Sequence, residues 1–101
     1  MATIRTVPRA EFEIEKAGHW WRRNRPAVAD AFERELAAAY SFIADSPEVL
    51  PVRSRRRGHE FRRYQLRRTG HFIYYRYDAL ANVVWVAAIW HSRRGREPFR
   101  T

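Results

Sequence analysis

The residue types most able to do chemistry gather at the end of the last apolar run of the sequence. The segment IWHSRRGREPF, residues 89–99, places His91 shortly before Arg93 and Arg94. A histidine can give or take a proton near neutral pH, and an arginine can hold a phosphate through paired N–H donors. Cleavage of RNA through its own 2′-hydroxyl requires such an acid or base and positive charge on the phosphate. The candidate catalytic residues are therefore His91, Arg94 and, from a neighbouring predicted strand, Arg63.

Binding is the alternative function for this end of the chain. A single histidine at the end of a strand more often satisfies a backbone group or packs on a ring than it catalyses a reaction. Arg93, Arg94 and Arg96 follow an apolar strand, so we expect them to be exposed and to contact a binding target. The other histidines are scattered: His19, His59 and His71. Because they lack metal-ligand spacing, and no glycine-rich phosphate loop is present, the sequence predicts neither a metal nor a cofactor.

Charge divides the chain into two unequal halves. The net charge is +9; residues 53–101 carry thirteen arginines against three acidic residues, whereas residues 1–52 are close to neutral. A basic half implies a polyanionic or acidic partner, although a solvated basic loop is an equally good interpretation of the run RSRRRG. The arginines expected to contact nucleic acid or an acidic protein are Arg55, Arg56, Arg57, Arg62 and Arg67.

Composition limits the class of protein. The chain has 101 residues, 46% of them hydrophobic, which suits one domain over residues 1–101 with a real core. It has no cysteine, which excludes a disulfide framework and fits a reducing cytosol. The longest apolar run, residues 83–90, is far too short to span a membrane, and no signal-peptide pattern is present. We therefore expect a cytoplasmic protein that makes no membrane contact.

The elements that must position these residues follow from periodicity and turn signals. Apolar side chains recur every three or four positions in residues 26–45, which predicts a helix. The run VVWVAAIW is apolar on both faces, as a central strand requires. The basic segment 53–58 is predicted as a loop that leads into the next strand. The predicted order is strand 3–7, helix 8–25, helix 26–45, and strands 59–68, 71–78 and 83–90.

The three late strands are expected to form an antiparallel meander, because short turns such as Thr69–Gly70 join them. The helical hairpin would cover one face, and the first strand would join the sheet at one side. This is an α+β, two-layer domain with the order β-α-α-β-β-β. Trp20 and Trp21 would point about 100° apart on the first helix, so both cannot face one core seam. One of them is expected to be exposed to a partner.

Three stretches, taken in order, resemble the toxins of the RelE/ParE superfamily of bacterial type II toxin–antitoxin systems. They are NRPAVADAFERELAAAYSFIADSPEVLP, GHEFRRYQLRRTGHFIYYRYD and VVWVAAIWHSRRGREP, and together they cover most of residues 17–98. The helix start NRPAVADAF, the loop SPEVLP and the end IWHSRR are similar to the plasmid-stabilisation proteins of the ParE-like branch. The resemblance implies a toxin that traps DNA gyrase on cleaved DNA by binding, and that causes growth arrest.

The resemblance also implies a cognate antitoxin, whose acidic C-terminal segment would wrap the toxin; its expected contacts are Trp20, Trp21 and Tyr75. The alternative is a RelE-like endonuclease that cuts mRNA on the ribosome with His91 and nearby arginines. The lysines typical of those nucleases are absent here, and no tyrosine follows Tyr77. A third possibility is a basic nucleic-acid-binding module that causes no growth arrest.

Overall fold

The computed structural model describes residues 1–93 of the chain. It confirms the α+β class, with five strands and two main helices. A short 3₁₀ helix, Pro26–Val28, joins the helices. The elements in chain order are β1 Thr3–Thr6, α1 Pro8–Asn24, α2 Ala31–Asp45, β2 Val52–Arg56, β3 His59–Leu66, β4 His71–Asp78 and β5 Val83–His91.

The strands form one sheet in the order β1-β5-β4-β3-β2. The strand β1 runs parallel to β5, which is possible because the helical hairpin carries the chain across the sheet, whereas the other pairs are antiparallel. Phe32 and Ile43 of α2 pack with Ile73, Val84 and other strand residues in one buried cluster. The helices therefore cover one face of the sheet, as the sequence predicts.

Helix α1 begins at Pro8, whose fixed φ suits the first helical turn, and ends with basic residues that favour the negative end of the helix dipole. Its buried positions are the small residues Ala10 and Gly18. These small residues allow the helix to pack close to the rest of the protein. Two of its large apolar side chains remain outside the core. Phe12 is 64% exposed and Trp20 is 49% exposed.

The basic segment predicted as a loop is in fact an edge strand, β2. Arg57 and Gly58 have φ values of 50° and 81°, which matches a two-residue type I′ turn joining β2 to β3. The register shifts between Val52 and Ser54, as at a β-bulge. Arginine runs carry no apolar alternation, so the strand pattern was invisible in the sequence. An edge strand needs only one partner, and its charge blocks further pairing.

The strand register decides which side chains share a face. Leu66, His71 and His91 are aligned across β3, β4 and β5 on the face that the helices cover. Arg63 pairs with Tyr74 on the opposite face, because neighbouring residues of a strand alternate. A bulge in β5 between Val86 and Ala88 keeps the paired residues of β4 and β5 on the same face on either side of it.

Two further findings concern membrane-spanning helices and metal-binding clusters. Within residues 1–93, no helix is long and apolar enough to cross a membrane. The same residues contain no group of three or more histidine, aspartate or glutamate side chains that could hold a metal ion.

Candidate functional site

A cleft of about 700 Å³ lies between α1 and the end of β5, and we name it the α1–β5 cleft. Among the described residues, its lining holds five cationic side chains and one carboxylate, that of Glu13. The cleft is therefore electropositive. The cationic side chains are Arg9, Lys16, Arg25, Arg68 and Arg93, and the aromatic walls are Phe12, Trp20 and Trp21.

The two adjacent tryptophans divide between core and solvent, as their angle on the helix predicts. Trp21 packs against the buried cluster, whereas Trp20 is exposed and meets its neighbour edge to face at 5.7 Å. The guanidinium of Arg25 lies 5.9 Å from the centre of the Trp20 ring. An exposed aromatic ring with cations around it suits an amphipathic partner that carries acidic groups.

The outer edge of β5 forms one side of this cleft. Strand β1 pairs with β5 only as far as Val86, so the residues after it have no strand beside them within residues 1–93. The carboxylate of Glu13 accepts a hydrogen bond from the Ile89 N–H at 3.0 Å and lies 3.6 Å from Arg9. A side chain of α1 thus satisfies a backbone donor that a neighbouring strand would otherwise take.

Two histidines form the floor of the cleft. The rings of His71 and His91 meet edge to face at 4.8 Å, and His71 lies 5.0 Å from the ring of Phe32. Burial, with a smaller contribution from the nearby His91, lowers the pKa of His71 from 6.5 to about 4. His71 is therefore neutral at physiological pH.

His91 is engaged by the backbone. Its Nδ1 accepts a hydrogen bond from the Arg93 N–H at 3.1 Å. Because Nδ1 accepts this hydrogen bond, we assign the ring proton to Nε2. The Nδ1 lone pair is thus occupied, which disfavours Nδ1 as a general base and matches the backbone role expected of a histidine at a strand end.

Glu35 is a site residue that the sequence analysis missed. Its carboxylate accepts hydrogen bonds from the Arg68 N–H at 2.8 Å, the Thr69 N–H at 3.0 Å and the Thr69 hydroxyl at 2.7 Å. These three bonds tie α2 to the turn between β3 and β4 and hold Arg68 at the cleft. The sequence placed Glu35 largely off the apolar stripe of the helix, so helical periodicity gave no signal for this role.

The structure does not assemble the candidate catalytic residues into one site. His91 lies on the face covered by the helices, whereas Arg63 lies on the opposite face, its guanidinium 4.2 Å from the ring of Phe72. Arg94, the third candidate, lies outside the described residues. Among the expected target contacts, Arg93 is exposed at the cleft, and Arg96 lies outside the described residues.

The arginines expected to contact a polyanion occupy different settings. Arg55 is paired with Glu60 at 3.0 Å, and Arg62 is partly buried and donates to the Leu50 carbonyl at 2.7 Å. Arg56 and Arg57 are exposed at the turn between β2 and β3. Arg67 is exposed at the turn between β3 and β4, at the opposite end of β3 from Arg56 and Arg57.

Tyr75, expected as an antitoxin contact, is fully buried and points into the core. Its hydroxyl has no hydrogen-bond partner among the described residues, and burial raises its pKa to about 12. In this structure the side chain is therefore not accessible to another protein. The strand HFIYYRYD carries tyrosines at both alternating positions, so periodicity could not assign Tyr75 to a face.

Comparison with solved structures supports the same fold. The crystal structure of the isolated E. coli RelE toxin has a TM-score of 0.64 and 19% identity, covering 95% of this chain and 89% of that one. The crystal structure of the intact E. coli RelBE toxin-antitoxin complex has a TM-score of 0.63 and 19% identity, covering 93% of this chain and 100% of that one. Likeness at this identity shows the fold alone.

Sequence comparison gives the family. A comparison with curated proteins found no match. Residues 4–96, nearly the whole chain, match the family described as the ParE toxin of the type II toxin-antitoxin system, parDE. This confirms the RelE/ParE resemblance carried by the helix, strand and tail segments of the sequence. The chain belongs to the ParE toxin family of type II toxin–antitoxin systems.

Proposed function

We propose that this toxin arrests growth by binding DNA gyrase in the cytoplasm and stabilising the cleaved-DNA state of that enzyme. The observation that carries the proposal is the family match over residues 4–96. The geometry supports binding over catalysis, because His91 and Arg63 lie on opposite faces of the sheet and the Nδ1 of His91 is already hydrogen-bonded. A gyrase poison needs a contact surface and no acid–base pair.

The experiment combines purified protein, gyrase and relaxed plasmid and measures supercoiling. We expect the native protein to inhibit supercoiling, and Arg93→Ala combined with Arg94→Ala to lose that inhibition while remaining folded. A matched control, Arg23→Ala combined with Arg34→Ala, removes the same charge from exposed helix positions and should inhibit like the native chain. Full inhibition by a folded Arg93/Arg94 variant would exclude these arginines from the gyrase contact.

A RelE-like mRNA endonuclease is the second candidate, favoured by the likeness of fold to the E. coli RelE toxin. In this function His91 would act as acid only in its doubly protonated form, which requires loss of the hydrogen bond that Nδ1 accepts from the Arg93 N–H. The discriminating variant is His91→Ala, tested for mRNA cleavage in a translating extract. Cleavage by the native chain that is lost in this variant would favour the endonuclease; no cleavage by either protein would favour the gyrase poison.

We further propose that a cognate antitoxin occupies the α1–β5 cleft. The support is the excess of cations in the lining, the exposed rings of Phe12 and Trp20, and the strand edge beyond Val86. An acidic, amphipathic segment would match all three features. Trp20→Ala should weaken the complex with the co-expressed antitoxin at least about tenfold by calorimetry. Leu80→Ala, which alters a fully exposed apolar residue of the β4–β5 turn, is the matched control.

A further inference from the structure

The sheet and the helices of this protein differ in the acidic residues that they carry. Within residues 1–93, the strands carry only two acidic residues, Glu60 and Asp78, whereas most of the other acids lie on α1 and α2. The sheet face away from the helices carries arginines on four strands. They are Arg5 on β1, Arg76 on β4, Arg63 on β3 and Arg56 on β2.

The arginines of this face follow from the register. Arg5 and Arg76 both pair with Trp85, whose neighbours Val84 and Val86 point into the core. Arg63 pairs with Tyr74, and Arg56 pairs with His59 at the end of the sheet. We name this set, with Arg57 at the turn, the arginine face. Neighbouring strands lie about 4.8 Å apart, so the face extends about 20 Å across the five strands.

The β2–β3 hairpin forms the most exposed end of the arginine face. Residues 55–60 are all exposed, and no other atoms lie within 4 Å of the position that a Cβ of Gly58 would occupy. A two-stranded ribbon of this kind fits the major groove of B-DNA, which is about 12 Å wide. The tip carries Arg55, Arg56 and Arg57 against one carboxylate, that of Glu60, which lies 3.0 Å from Arg55, so its net charge is positive.

We propose that the arginine face, led by the β2–β3 hairpin, binds the phosphate backbone of duplex DNA. Single-stranded nucleic acid is bound chiefly by stacking of bases on open aromatic rings. Here guanidinium groups already lie over two rings of this face, Arg63 over Phe72 at 4.2 Å and Arg76 over Trp85 at 5.8 Å. Arginine combines ring contacts of this kind with hydrogen bonds to phosphate oxygens, which its N–H donors make in pairs.

This inference goes beyond gyrase poisoning and does not depend on it, since the contact is between the toxin and DNA alone. Under the gyrase proposal, the same contact would let the toxin hold the DNA segment that gyrase has cleaved. The test therefore uses the purified chain without gyrase, so that failure of one proposal leaves the other intact.

The test measures binding to a fluorescent DNA duplex of about 20 base pairs by anisotropy, between about 50 and 200 mM salt. The variant is Arg56→Gln combined with Arg57→Asn, because asparagine tolerates the φ of 50° at position 57. Loss of two phosphate contacts should reduce the slope of log Kd against log salt by about 2 and weaken binding at least about tenfold.

The matched control is Arg23→Gln combined with Arg34→Gln, which removes the same charge from the helical layer and should change affinity less than about twofold. Circular dichroism establishes that both variants are folded. Equal losses in the two variants would mean that binding follows net charge alone, and this result would overturn the proposal. Absence of binding at low salt, or tighter binding to single-stranded DNA or RNA of equal length, would also overturn it.

Discussion

Lowering the pH should destabilise this fold through one buried histidine, His71. The side chain is 8% exposed and lies against Phe32 and His91, with Glu35 the nearby carboxylate. Burial lowers the pKa of His71 to about 4, against 6.5 for an exposed histidine. The unfolded chain therefore binds a proton more readily than the folded chain does. The stability that neutral His71 provides is complete above pH 6.5 and is lost as the pH falls toward 4.

The magnitude follows from proton linkage. With a pKa of 6.5 in the unfolded chain and about 4 in the folded chain, the free energy of unfolding should fall by about 2 kcal/mol between about pH 7 and pH 5. Other titratable groups, including the remaining histidines of the chain, contribute to the total pH dependence, so the contribution of this one residue must be isolated by comparison with a variant that lacks it. This loss is a large share of the total stability of a small domain.

The assay is urea unfolding followed by tryptophan fluorescence at the two pH values. His71→Phe is the control, because it keeps an aromatic ring of similar size against Phe32 and cannot be protonated. The native chain should lose about 2 kcal/mol more than this variant over the interval. If both proteins lost the same amount, His71 would not be the titrating group, and its buried, neutral state in the cleft floor would be refuted.

Three further changes test single contacts within the fold. Glu35→Ala should lower the free energy of unfolding by about 2 kcal/mol, because three hydrogen bonds to the β3–β4 turn are lost. The control Glu33→Ala, which removes an exposed ion pair, should lower it by less than about 1 kcal/mol. Equal losses in the two variants would contradict the role of Glu35 in holding the turn. Tyr75→Phe should leave the thermal midpoint unchanged or raise it, since the buried hydroxyl has no partner among residues 1–93; a clear fall would show an unrecognised hydrogen bond. Glu13→Ala should speed hydrogen exchange at the Ile89 amide, and unchanged protection there would mean that Glu13 does not cap the edge of β5.

Periodicity was sufficient for the elements that bury a continuous apolar surface. The stripe of α2 and the apolar run of β5 predicted a helix and a central strand, and both lie against the core. Strand β2 was missed because it is held by backbone hydrogen bonds to β3 and by its turn, while its side chains are charged and mostly exposed. Backbone pairing of this kind leaves little trace in residue type.

The site depended on register, which the sequence determines only indirectly. His71 and His91 meet because the turn at Gly70 and the bulge near Ala88 align them across β4 and β5. The same register separates Arg63 from His91, although the sequence suggested that the two could act together. Glu35 reaches its turn from a distant helix, so its role required the tertiary packing of α2 against the sheet.

The most direct test of the central claim is the fate of plasmid DNA in the presence of gyrase and the purified toxin. Relaxed plasmid is incubated with gyrase, ATP and the protein, then treated with detergent and protease, and linear DNA is measured on a gel. We expect linear DNA to accumulate with toxin concentration and to disappear when the antitoxin is added. Normal supercoiling with no linear DNA, by a folded protein that still arrests growth, would contradict it.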